Sequence, residues 1–279
     1  MRIEDYFFEA IGVLSGTKAV YQSQIHSANI TIVDGDEGIV KDSDALITSE
    51  QNVLLGVTVA DCTPILLYDP VSKVIAAVHA GWRGTEQMIG LSAVRRMMEL
   101  GAMPENLFAF IGASASGEKY EVGLDVATLF EEKNLVALAG NKFLLDVKGA
   151  NLDQLLFAGI PHDHIEISPL CTITDERLHS FRRDGKRAGR MLAVIMRKDV
   201  SFVQNQPPRA ILVYFDGKFR IFVFLKGIES CTHSEHKGVF SFLEHCSHFV
   251  YWFRLQDLSM ANHCKPLRGM LRKRRPQQI

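Results

Sequence analysis

Between Val20 and Met196 the apolar positions fall into short runs separated by turn residues, and the runs change period along the chain. Ile30 to Val33 reads as a strand that the turn Asp34-Gly35 ends. Val53 to Val59 and Pro64 to Tyr68 are apolar and β-branched enough for buried strands, and Asp69-Pro70 breaks the second. Val74 to Val78 predicts a third strand, leading straight into HAGWRGT. Thr85 has the chemistry of an N-cap. Met88, Ile89, Leu91, Ala93, Val94, Met97 and Met98 then recur at helical spacing until Gly101. Phe108 to Ile111 and His164 to Ile167 predict further strands, and Val126 to Phe130 and Leu152 to Phe157 lie on predicted helices. Several strand-to-strand links are too short for a crossover. The expected fold is therefore α+β, with mixed β-sheets flanked by helices in a single main domain.

Composition narrows the class. At 279 residues and 47% hydrophobic, the chain can bury a core without disulfides. A formal net charge of −1 gives no reason to expect nucleic acid or an anionic membrane as partner. No run approaches the roughly 18–20 apolar residues that span a bilayer. The acidic N-terminus, with Glu4, Asp5 and Glu9, lacks the order of a signal peptide. Five widely spaced cysteines argue against a disulfide scaffold, so a cytoplasmic protein with reduced thiols is expected.

The overall charge hides a seam. Met1 to Lys198 carries 19 basic and 26 acidic side chains, a net of −7, whereas Asp199 to Ile279 carries 12 and 6, a net of +6. Residues 1–198 are read as the main domain and 199–279 as an atypical C-terminal extension of unknown role. The extension holds Cys231, His233, His236, His245, Cys246, His248, His263 and Cys264 and ends near the basic run Arg272 to Arg275. Those side chains show no fixed ligand spacing, so a passive tail is the favoured reading over additional copper sites.

Three side chains carry candidate chemistry. His26, Cys62 and His79 are separated by 35 and 16 residues, and each sits at the edge of a predicted strand. Imidazole with thiolate suits zinc, with copper competing, and three protein ligands leave a position open for water or substrate. Spacing alone does not decide this, because no CxxC or HExxH pairing is present. Cys62 read singly is a buried small hydrophobe, and either histidine an ordinary hydrogen-bonded one.

A resemblance decides it. QSQIHSANI, DALITSEQNVLLGVTVADCTPILLYDP, IAAVHAGWRGT, YEVGLDV and CTITDERLHSFRRDGKRAGRMLAVI resemble, in order and spacing, the signature blocks of the laccase-domain family. Its members are named multicopper polyphenol oxidase-like proteins and purine nucleoside phosphorylases. The resemblance spans Val20 to Met196 and implies that the family's metal ligands fall on His26, Cys62 and His79. Two departures are visible. His26 follows only 25 residues after Met1, without the segment that usually precedes it, and Gly117-Glu118-Lys119 replaces a frequent Cys-Cys pair.

Neighbouring residues complete the expected site. Arg83 and the loop Arg182-Arg183-Asp184-Gly185 offer guanidinium forks for an anion, making inorganic phosphate a plausible co-substrate. Trp82 is placed to stack on a purine or to cap the core. Asp61 is a candidate general acid, or the partner that orients a histidine ligand. Tyr120, Glu121 and His179 are lesser pocket candidates, and Cys171 is expected to pack. The resemblance implies a metal-dependent purine nucleoside enzyme: phosphorolysis of adenosine, inosine and methylthioadenosine, and adenosine deamination through water on the metal. The alternative is a copper-dependent polyphenol oxidase acting on small phenols with dioxygen.

Overall fold

The computed structural model describes residues 18–197 and the backbone of three further strands. The chain opens with β1 (Lys18–Gln22), β2 (Ile30–Ile32), β3 (Ile39–Val40) and β4 (Ala45–Thr48). β5 (Val53–Val59), β6 (Thr63–Tyr68) and β7 (Ile75–Ala80) follow, then the short α1 (Trp82–Glu86) and α2 (Ile89–Met98). Next come β8 (Phe108–Ile111), β9 (Glu121–Gly123), α3 (Leu124–Ala127), β10 (Leu135–Ala137), β11 (Lys142–Leu145) and α4 (Val147–Phe157). β12 (Ile165–Ile167), α5 (Phe181–Asp184) and β13 (Met191–Met196) complete the main body.

Two mixed sheets stack on each other. One has the order β13-β5-β1-β3 and the other β12-β8-β6-β7-β4-β2. In the first, β1 runs parallel to β3 and β5 while β13 is antiparallel to β5. In the second, β4, β7, β6 and β8 are antiparallel, with β2 and β12 added in parallel at the edges.

Side-chain alternation sorts β6 and β7 between two cores. Leu66, Tyr68, Ile75 and Ala77 face the first sheet and pack with Val20, Leu55, Val57, Ala193 and Ile195. Ile65, Leu67, Ala76 and Val78 face the other way, against Ile89, Ala93, Val94 and Met97 of α2 and Leu155 of α4. The result is a sheet–sheet–helix sandwich whose middle layer is buried on both faces, which is why its strands read as continuous apolar runs. A small antiparallel sheet, β10-β11-β9, closes a satellite core of Val122, Ala127, Leu145 and Val147 against Trp82 and Tyr120.

The extension contributes β14 (Arg209–Phe215), β15 (Lys218–Lys226) and β16 (His248–Val250), an antiparallel sheet in that order. His248 opens β16. Cys231, His233, His236, His245, Cys246, His263 and Cys264 lie outside the described residues.

Three local expectations are revised. β7 runs on through Ala80, so His79 is a strand residue rather than a loop one. Thr85 is no N-cap: it is buried within α1, which Gly81 precedes, and α2 starts after Met88 with φ 62. The helix expected over Val126 to Phe130 lies at Leu124–Ala127, starting two residues earlier and ending three earlier.

Candidate metal centre and cleft

His26, Cys62 and His79 converge. One ligand atom from each lies within 4.8 Å of the other two. Cys62 immediately precedes β6 and His79 is the penultimate residue of β7. The register Thr63 opposite Ala80 and Pro64 opposite His79 brings the two together. Cys62 shares its strand face with Leu66, and His79 shares its face with Ala77, so both point between the sheets at their open end. His26 comes from the turn between β1 and β2 with a left-handed φ of 61. Its ring meets His79 edge to face, with centroids 4.9 Å apart.

The cluster leaves room only for a small occupant. A Cβ on Gly81 would stand 3.1 Å from both Cys62 Sγ and the His26 ring. Two imidazoles and a thiol within that spacing, walled by a glycine, fit a tetrahedral ion with bonds of roughly 2.0–2.3 Å and one position free.

Asp44, at the head of β4 and fully buried, organises this arrangement, and sequence reasoning missed it. Its Oδ1 takes hydrogen bonds from the His79 ring at Nδ1 (2.8 Å) and from His26 N (3.0 Å). Its Oδ2 accepts from Ser27 N and Ser27 Oγ, both at 2.7 Å, and from Ile25 N at 3.3 Å. The available signal was an acid directly ahead of an apolar strand in DALITS, which by itself looks like a turn residue.

The charges reinforce one another. Burial opposes ionisation of Asp44, but the bonds from His79 and Ser27 hold it at about 2. Burial likewise opposes the Cys62 thiolate, yet hydrogen bonds from His26 and His79 and their charge bring the thiol down to about 6. His79 is pushed down by burial and raised to about 9 by its bonds to Asp44 and Cys62. The thiolate is the form a metal ion binds, whereas His79 would have to give up the proton facing Cys62, so binding would release a proton.

Beside the cluster lies a cleft lined by Asp61, Cys62, Trp82, Ala115, Tyr120 and Val147. Arg83 lies over the Trp82 ring at 4.2 Å and Arg182 over the Tyr120 ring at 4.7 Å, so two guanidinium–aromatic pairs border it. Arg182 also donates to the Glu121 carbonyl (2.6 Å).

Other expected residues stand elsewhere or do something else. Asp61 does not orient a histidine. With φ 88, it accepts from Thr172 Oγ1 and from Arg182 N, both at 2.6 Å, and so ties the Arg182 turn to the cleft. The Arg183 guanidinium is spent on Asp184 and on the carbonyls of Thr172 and Leu178, holding its own loop together. The exposed Glu121 side chain pairs with Lys142. The His179 ring rests on Gly189, where a Cβ would stand 2.7 Å away. Cys171 is half-buried, bridges to Ser114 and accepts from Ser116 N.

With fold and site in view, the chain belongs to the family described as multi-copper polyphenol oxidoreductase laccase, which it matches over residues 4–198. It is 40% identical over 188 residues to a purine nucleoside phosphorylase of Corynebacterium glutamicum, covering 65% of this chain and 75% of the relative. A purine nucleoside phosphorylase of Deinococcus radiodurans is 40% identical over 176 residues, 62% of this chain and 68% of the relative. Among solved structures, YlmD from Geobacillus stearothermophilus aligns with a TM-score of 0.64 and 31% identity, covering 68% of this chain and 78% of that one. The hypothetical protein YfiH of Bacillus licheniformis aligns with a TM-score of 0.63 and 30% identity, covering 67% and 77%. No described helix is long and apolar enough to cross a membrane.

Proposed function

We propose that this chain is a metal-dependent purine nucleoside enzyme, with His26, Cys62 and His79 as its metal ligands. It carries out phosphorolysis of adenosine, inosine and methylthioadenosine, and deaminates adenosine. The observation that carries this reading is the three-ligand cluster at the mouth of an aromatic, arginine-bordered cleft. The names of the relatives support the substrate class. Zinc held by these three residues would supply a Lewis acid, and copper suits the same ligands.

The chain's own residues do the remaining work. Arg83 and Arg182 hold the phosphate, each guanidinium kept beside the cleft by its aromatic partner. Trp82 and Tyr120 present rings to a purine. Phosphate oxygen bonds to the ribose C1′ as the bond from C1′ to the purine nitrogen breaks, with its electron pair leaving on the base. Asp61, the one carboxylate among the residues lining the cleft, is assigned proton transfer to that base. We assign catalysis to residues 1–198 and no catalytic role to residues 199–279.

Zinc-loaded protein given adenosine and phosphate should release adenine and ribose 1-phosphate, with inosine or the hypoxanthine formed from it marking deamination. Absence of all these products would remove the reading. The family description favours a second one, copper-dependent oxidation of small phenols. Four-electron reduction of dioxygen ordinarily needs several coppers, and among the described residues one cluster is present. Oxygen uptake by copper-loaded protein with catechol tests it.

A further inference from the structure

The three ligands are not equally secured. Cys62 and His79 belong to neighbouring strands whose ladder sets their spacing, whereas His26 is exposed on a turn with left-handed backbone and has no ladder of its own. What fixes that turn is Asp44. Its carboxylate accepts from the backbone N–H of Ile25, His26 and Ser27 in succession and from the Ser27 hydroxyl. The same carboxylate meets Nδ1 of His79, and the Asp44 carbonyl accepts from His79 N at 2.7 Å. With five donors converging on it, the fully buried carboxylate has no capacity left for another role.

We propose that Asp44 is the positioning residue that assembles the ligand set. It keeps the proton of His79 on Nδ1 so that Nε2 faces Cys62, and it holds His26 in place through the backbone of its turn. A carboxylate on the far nitrogen of a ligand imidazole fixes ring orientation and raises ligand basicity. Here one carboxylate also sets the second imidazole, which couples the two. Asp61 does not share this role: its hydrogen bonds go to Thr172 and Arg182 and not to a ligand histidine or to the His26 turn.

The inference rests on the metal-centre part of the function proposed above and not on the nucleoside. Zinc affinity is measured by competition with a chromophoric chelator, for the full-length protein and for Asp44→Asn. The asparagine keeps the shape and one acceptor oxygen but cannot serve His26 and His79 as the carboxylate does. Affinity should fall about 10- to 100-fold. In zinc-loaded wild-type protein, nitrogen-15 spectra of the histidine rings should show His79 protonated at Nδ1 and bound through Nε2. A folded Asp44→Asn protein with wild-type affinity, or His79 bound through Nδ1, overturns the proposal. Should the variant not fold, the wild-type spectrum decides alone. Normal zinc binding with adenosine left untouched would remove the nucleoside reading and leave this one standing.

Discussion

A thiol flanked by two imidazoles ionises more readily than an isolated one, because each ring stabilises the charge that burial penalises. In metal-free protein, alkylation of Cys62 should therefore show its midpoint near pH 6. An ordinary thiol titrates near 8.5, and a midpoint there would mean that the imidazoles do not face the sulfur. Asp44 has a separate signature. Its folded pKa, about 2, lies below the ordinary carboxylate value, so its contribution is complete above roughly pH 4 and is lost as pH falls through 4 toward 2. The stabilisation at neutral pH is about 2 kcal/mol. In urea melts of metal-free protein, Asp44→Asn should shrink the loss of stability between pH 5 and 3 by about 1 kcal/mol, the remainder falling below pH 3. The convergence of His26, Cys62 and His79 was legible only through the resemblance of their surrounding blocks, since each residue read singly has an ordinary structural role. Asp44 was not: its partners lie 17 to 35 positions away, and only the folded register of β4 against β7 brings them together.

The elements that carry the site are short, and packing holds them more than propensity does. α1 has only five residues, and α2 begins after a left-handed Met88, a break that no helical periodicity reveals. Two buried amides of α4 secure this junction. Asn151 Nδ2 donates to Thr85 Oγ1, Gln154 Nε2 donates to the Thr85 carbonyl, and Gln154 Oε1 accepts from Gly90 N. That network explains why Thr85, a plausible cap by sequence, is an interior contact instead. Gly84 lets α1 approach the His26 turn, since a Cβ there would stand 2.7 Å from the Ser27 carbonyl oxygen. Gly84→Ala must push α1 and the turn apart, costing roughly 1–3 kcal/mol. Zinc affinity should drop at least tenfold while the far-ultraviolet circular dichroism stays native. Unchanged affinity would show that the turn tolerates displacement. The long strands β5 and β6 matched their apolar runs closely, because a strand buried on both faces leaves few alternatives.

At the scale of the molecule, the expected α+β architecture holds: two mixed sheets stacked with a helical layer outside. Their order was not legible, because β1 joins β5 and β13 joins β5 through pairings far apart in sequence. The charge seam at residue 198 coincides with the end of the stretch matched to the family. If the extension has no part in the chemistry, protein truncated after Lys198 that retains a cooperative thermal transition should turn over adenosine at the full-length rate. A folded truncation that has lost turnover would place catalytic groups beyond that point. The whole account stands on one ion held by one sulfur and two nitrogens, and X-ray absorption at the zinc edge of the zinc-loaded protein measures this directly. The account predicts one zinc per chain, with a single sulfur at about 2.3 Å and nitrogen or oxygen neighbours at about 2.0–2.1 Å. A spectrum without sulfur, or with two or more sulfurs on the ion, would contradict it.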